Sequence, residues 1–173
     1  SCDRVINMGC WSEQQTMGED GDWAYQLIKR DGSSFKIFYK SELVGQLDWE
    51  LIGSHNVQNA MMAIAASRHV GISPAQSIET LTTFINAKRR LETKGKVNNI
   101  TVYDDFAHHP TAIYSTLEGL RANVGSQRII AILEPRSNTM KQGVHQHTLF
   151  KSMDEADAIF LYQPDNLNWD MQD

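Results

Sequence analysis

A chain of 173 residues with 41% hydrophobic content can bury one sizeable core or two small ones. Its net charge of −5 creates no basic field for nucleic acid, and no apolar run approaches the roughly 18–20 residues of a membrane span. Cys2 and Cys10 read as reduced thiols of a cytoplasmic protein, and the polar opening Ser1-Cys2-Asp3-Arg4 does not read as a signal peptide.

Residues 1–21 have no clear period and read as a long loop or a cut edge. Trp23 to Ile28 is a predicted strand, Asp31-Gly32 a hairpin turn, and Phe35 to Tyr39 the partner strand. A third strand, Val44 to Ile52, completes a small antiparallel sheet. A helix starts at Gly53-Ser54-His55-Asn56, with Val57, Ala60, Met61, Ile64 and Ala65 at helical spacing and Gly71 as its stop. Ser73-Pro74 opens the next helix by N-cap and first-position proline, with Ile78, Leu81, Phe84 and Ile85 as its apolar face. The polar, basic stretch Asn86 to Glu92 is the expected boundary, giving units 1–88 and 89–173.

Beyond it strands and helices alternate. Val97 to Tyr103 is a predicted strand, Pro110 to Asn123 a helix with Ile113, Leu117 and Leu120 inward, and Arg128 to Leu133 a strand covered on both faces. A helix over Val144 to Glu155 and a strand over Ala158 to Tyr162 follow. The order implies a parallel sheet with right-handed crossovers, and such sheets bind ligands beyond their strand carboxyl ends. Those ends read Asp104-Asp105-Phe106-Ala107-His108-His109, then Glu134-Pro135-Arg136-Ser137-Asn138, then Gln163-Pro164-Asp165-Asn166.

Each polar cluster has a chemical and a plain reading. Asp104 and Asp105 suit a ribose hydroxyl or Mg²⁺, or are turn carboxylates; His108 and His109 suit a phosphate or oxyanion, or cap the helix that Pro110 starts. His55, Asn56 and Asn59 gather at one helix start, where they can meet a nucleotide or simply cap the helix. Arg89 and Arg90 can clamp phosphates or remain solvated. Arg136, Ser137 and Asn138 offer a guanidinium fork and polar partners for a carboxylate, or form an ordinary strand exit. His145 and His147 lack an evident third ligand for a metal.

Taken whole, Tyr-Asp-Asp-Phe-Ala-His-His-Pro-Thr (103–111) resembles the signature that opens the C-terminal domain of the muramyl (Mur) amide ligases. Gly-x-His-Asn-x-x-Asn-Ala (53–60) is similar to the motif closing their central ATPase domain. The resemblance implies a fold of two α/β parts: the end of that ATPase domain, with antiparallel strands plus helices, then the first part of a Rossmann-like parallel domain. It implies an ATP- and Mg²⁺-dependent ligase that activates a carboxylate as an acyl phosphate and couples it to an amine. His55, Asn56, Asn59, one of Arg89 and Arg90, and Asp104 or Asp105 would then lie at the nucleotide. His108 and His109 would lie towards the phosphates and amine. The Glu-Pro-Arg-Ser-Asn-Thr-Met loop (134–140), together with Trp11-Ser12-Glu13-Gln14 and residues 84–92, looks like the recycling branch of the family. That branch joins the murein tripeptide L-alanyl-γ-D-glutamyl-meso-diaminopimelate to UDP-N-acetylmuramate, with Arg136, Ser137 and Asn138 expected at the peptide. Other ligases of the superfamily, adding L-alanine alone or glutamate to folate, keep the chemistry and change the acceptor. No Gly-x-x-x-x-Gly-Lys-[Ser/Thr] loop occurs in the sequence, so the chain reads as a fragment, inactive by itself, whose phosphate loop and Mg²⁺ ligands lie upstream. A non-catalytic nucleotide- or peptide-binding module remains the alternative of a different class.

Overall fold

The structure, a computed structural model, describes residues 7–11, 14–165 and 167–169. Cys2, Ser12, Glu13 and Asn166, which entered the sequence reading, lie outside the described residues.

Three antiparallel strands come first: β1 (Trp23–Leu27), β2 (Ser34–Tyr39) and β3 (Glu42–Asp48), in the order β1-β2-β3. Between β1 and β2, Gly32 takes a φ of 80°, which glycine accepts without strain. The third strand begins two residues before its expected start and ends at Asp48. Trp49 then turns back, donating its indole N–H to Gly32 O at 3.0 Å. Helix α1 (Ser54–His69) and helix α2 (Pro74–Thr82) cover this sheet. Trp23, Phe35, Ile37 and Leu47 from the strands meet Val57, Ala60, Met61 and Ile64 from α1 and Ile78 from α2 in one buried cluster.

Helix α2 starts as expected, with a capping box in which Ser73 and Gln76 satisfy each other's backbone N–H groups. It ends earlier than expected. Thr80, Thr82 and Thr83 turn their hydroxyls onto carbonyls three or four residues back, an interaction that competes with helix continuation. Phe84 and Ile85 therefore lie beyond the helix and are exposed, not part of its buried face.

The second half departs further from expectation. The single strand expected at 97–103 is a hairpin, β4 (Glu92–Val97) and β5 (Ile100–Asp104). Asn98 and Asn99 both take positive φ, 49° and 62°, as a two-residue primed turn requires. Helix α3 (Pro110–Val124) buries Ile113, Leu117 and Leu120 as predicted. Strands β6 (Ile130–Leu133) and β7 (Ala158–Leu161) pair in parallel. Ile130 and Ile132 are exposed, so β6 is not covered on both faces within this chain. The long helix expected at 144–155 is replaced by α4 (Asn138–Lys141), α5 (Gln146–Leu149) and a 3₁₀ turn at Lys151–Met153. Among the described residues β5 pairs with β4, and no ladder joins it to β6. It still packs beside them: Tyr103 and Ala107 rest on the second buried cluster, formed by Ile113, Leu117, Leu120, Ile129, Met140, Leu149 and Met153. Arg121 fastens α3 to the start of β7 through Glu155 O, at 2.8 Å, and the Asp157 carboxylate, at 2.7 Å.

Candidate functional site

A cavity of about 490 Å³ lies between the start of α1, the linker before β4, and the start of α3. Its lining includes His55, Asn56, Asn59, Arg90, Asp105 and His109, six of the residues singled out from sequence. Three different folding devices bring them together.

The first is the turn into α1. Gly53 takes a φ of 98°, and its N–H donates to Asp31 O at 2.7 Å. This geometry aims His55 and Asn56 into the cavity from the first turn, with Asn59 one turn on. Asn56 Nδ2 donates to Ile52 O at 2.8 Å, which leaves its Oδ1 as the available acceptor. His55 Nδ1 is buried without a hydrogen-bond partner in the structure, an arrangement that favours the uncharged ring. Burial accordingly holds the His55 pKa below its ordinary value; Asp105 is the next influence and opposes it, Arg90 pushes the same way as burial, and Glu118 opposes least.

The second device is the linker. Asp105 Oδ2 accepts the Leu91 N–H and Oδ1 accepts the Ala107 N–H, both at 2.7 Å. Phe106 N–H donates to Arg89 O at 2.8 Å. The linker is thereby pinned along the end of β5, and the two arginines diverge. Arg90 lines the cavity. Arg89 lies 3.4 Å from the Asp104 carboxylate, with its guanidinium 5.1 Å from the Phe106 ring centroid. Lys94 also approaches Asp104, at 3.9 Å. Arg89 and Asp104 therefore face each other outside the cavity lining.

The third is the N-terminus of α3. His109 is the N-cap, its Nδ1 accepting the Thr111 N–H at 3.2 Å. Nδ1 as acceptor leaves the proton on Nε2, so the neutral ring presents an N–H donor. His109 packs edge-on against His145 at 4.4 Å between centroids. His108 points elsewhere: it is exposed, its Nδ1 lies 3.0 Å from Phe106 O, and its ring leans on Phe106.

The loop after β6 approaches this region from the far side. Ser137 caps α4 and reaches His108 O at 3.5 Å. Arg136 is exposed and pairs with Glu134 at 3.5 Å; Asn138 is exposed at the start of α4. None of Arg136, Ser137 and Asn138 lines the cavity.

The sequence reading missed Asn86, Thr111, Ser115 and Thr116, which add further polar groups to the lining. A signal existed for two of them: Thr111 and Ser115 are four apart on α3, away from the apolar stripe of Ile113, Leu117 and Leu120.

Residues 89–173 match the family model described as Mur ligase, glutamate ligase domain. The chain is 52% identical, over 96% of its length, to a protein of Escherichia coli (strain K12) named UDP-N-acetylmuramate–L-alanyl-γ-D-glutamyl-meso-2,6-diaminoheptandioate ligase. It is 49% identical, over its whole length, to the protein of the same name from Haemophilus influenzae. The chain belongs to the Mur ligase family. Among solved structures, a murein peptide ligase from Psychrobacter arcticus 273-4 superimposes with a TM-score of 0.66 at 40% identity, over 96% of this chain and 36% of that one. The match spans 36% of the E. coli ligase and 38% of the H. influenzae ligase. The mixed architecture, antiparallel sheet and helices followed by parallel strands, is that of a Mur ligase. No helix among the described residues is long and apolar enough to cross a membrane.

Proposed function

We propose that this Mur ligase chain is the middle-to-late portion of a cytoplasmic, ATP-dependent enzyme of murein recycling that joins L-alanyl-γ-D-glutamyl-meso-diaminopimelate to UDP-N-acetylmuramate. The observation that carries the reading is the 49–52% identity, across nearly all of the chain, to relatives named for that reaction. The reading keeps the unit boundary at 88/89, and the match of the family model to residues 89–173 supports it.

In this reading the lactyl carboxylate attacks the γ-phosphate of ATP, giving an acyl phosphate and ADP. The α-amine of the tripeptide then attacks the acyl carbon, and phosphate leaves. The cavity between the two halves receives the nucleotide. His55, Asn56 and Asn59 meet the adenosine: Asn56 offers a free acceptor, and His55 offers a buried nitrogen that needs a partner. Arg90 supplies the cation beside the phosphates, and the Nε2–H of His109 supplies a donor next to it. Asp105 holds the linker that carries Arg90, and Asp104 holds Arg89. Arg136, Ser137 and Asn138, on the other side of His108, face the acceptor peptide.

Mg²⁺ would supply charge neutralisation on the phosphates. Among the described residues no cluster of three or more His, Cys, Asp or Glu is placed to hold a metal ion. The phosphate-cradling loop that Mur ligases share by resemblance is absent from this sequence, and the chain alone is expected to bind nucleotide without turnover.

The test is phosphate release by the full-length protein containing this chain, with ATP, Mg²⁺ and UDP-N-acetylmuramate. Turnover with the tripeptide and none with free L-alanine is expected. Turnover with L-alanine alone would move the enzyme to the alanine-adding branch, and no turnover with either would leave a binding module.

A further inference from the structure

On α3, Thr111, Ser115, Gly119 and Asn123 fall in one row of i, i+4 spacing. The first two line the cavity. The last two meet the other half of the chain. A Cβ built on Gly119 would lie 2.7 Å from Gly53 Cα and 3.0 Å from Gly53 N, so the helix backbone itself rests on the residue that opens α1. One turn further, Asn123 Nδ2 donates to Asp31 Oδ2 at 2.8 Å. Asp31 and Gly53 form a single corner, joined by the 2.7 Å bond from Gly53 N–H to Asp31 O. Asp31 Oδ1 is committed to Ser33, accepting its N–H at 2.9 Å and its hydroxyl at 2.7 Å. The same Gly53 carries the His55 ring: a Cβ there would stand 2.6 Å from His55 Cε1 and 2.8 Å from Nδ1.

Glycine in the middle of a helix is unfavourable on propensity alone. At position 119 close backbone approach requires it. A chain of contacts thus runs from α3 through Gly53 to His55, and from Asn123 to the corner that fixes Gly53.

We propose that Gly119 and Asn123 are positioning residues that seat α3 on the Asp31–Gly53 corner and thereby hold His55 opposite Arg90, Asp105 and His109 across the cavity. The seam deepens the nucleotide reading and rests on it only for what the cavity holds.

The seam predicts a charge-swap cycle in the full 173-residue chain. Asn123→Asp sets a second carboxylate against Asp31. Adding Asp31→Asn restores a donor–acceptor pair with the roles exchanged, because the new amide keeps an oxygen for Ser33 and turns its NH₂ across the seam. Three quantities are read: the radius of gyration by X-ray scattering, the His55 ring titration by NMR, and ADP affinity by calorimetry. Asn123→Asp is expected to expand the chain, to move the His55 midpoint up towards about 6.5, and to weaken ADP binding at least about tenfold. The double variant is expected to restore all three. Gly119→Ala is expected to shift them as Asn123→Asp does. If Asn123→Asp unfolds the chain, Asn123→Ala is measured in its place, with the same expected directions and smaller size. Wild-type scattering and an unmoved His55 midpoint in the Asn123 variant, or failure of the double variant to restore them, overturn the seam. If scattering and His55 respond as expected while the wild-type chain binds no ADP, the seam stands and the nucleotide reading falls.

Discussion

Leu91 donates its backbone N–H to the Asp105 carboxylate at 2.7 Å, across fourteen residues of sequence. That bond, with the one from Ala107 to the other carboxylate oxygen, fixes where the linker leaves the end of β5 and so which arginine reaches the cavity. Removing the acceptor leaves two part-buried N–H groups without a partner. Asp105→Ala is therefore expected to cost about 1.5–3 kcal/mol. Urea denaturation of the chain measures it; a change within error of zero would mean that the linker is held by other contacts.

The divergence of the two arginines makes a second prediction. Arg90→Ala removes a cation from the cavity and is expected to weaken ADP binding about tenfold or more. Arg89→Ala removes a partner of Asp104 and Phe106 and is expected to change affinity by less than about threefold, because an exposed ion pair contributes little. Calorimetric titration with ADP ranks them; the reverse order contradicts the assignment.

His55 gives a pH dependence. Burial, the dominant cause, holds its pKa below the ordinary value in the folded chain. The unfolded chain then takes up the proton first as pH falls. The stability that the neutral ring provides is complete above the unfolded pKa of about 6.5 and is lost as pH drops from there through the folded value. Asp31 acts lower on the scale. Its hydrogen bonds to Asn123 and Ser33 outweigh desolvation, the largest single influence and an opposing one, and hold its carboxyl below the usual range. Its contribution is present above about 3.8 and is lost as pH falls through its folded value. Denaturation at closely spaced pH values is expected to show a decline below about 6.5 that His55→Gln lacks. An identical decline in that variant would assign the effect elsewhere.

Helix α2 tests the local reading. Ser73→Ala removes the hydroxyl that accepts the Gln76 N–H and is expected to cost about 1 kcal/mol. Thermal unfolding measures it. Unchanged stability would mean that packing of Ile78 and Leu81 alone holds this helix.

Legibility in the sequence followed the length and regularity of each signal. The first sheet, α1, α2 and α3 were readable as elements, with the inward residues of α1 and α3; on α2 the cap at Ser73 and the inward Ile78 were readable, but not its end before Phe84 and Ile85. The hairpin at 98–99 was not, because Val97 to Tyr103 is apolar enough to pass for one strand and the turn signal is Asn-Asn, not the stronger Asn-Gly. The broken helix after β6 was missed because an apolar count over 144–155 does not register Gly143 at φ 74° or a 3₁₀ turn. Six candidate residues line one cavity; from the residues alone they were legible only as separate clusters at starts and ends of elements, and the family resemblance was what grouped them. That Arg90 and not Arg89 enters the cavity was not, because the choice depends on the long-range bond from Leu91 to Asp105. The seam of Gly119 and Asn123 was equally hidden: a glycine inside a helix signals close approach without naming the partner.

The most direct measurement is the map of amide shifts in the isotope-labelled 173-residue chain on titration with ADP. The account predicts that the largest changes fall on His55, Asn59, Arg90, Leu91, Ala107 and Thr111, around one cavity. Changes centred on the groove formed by Thr16, Met17, Met62 and His69, towards the C-terminal end of α1, would contradict it.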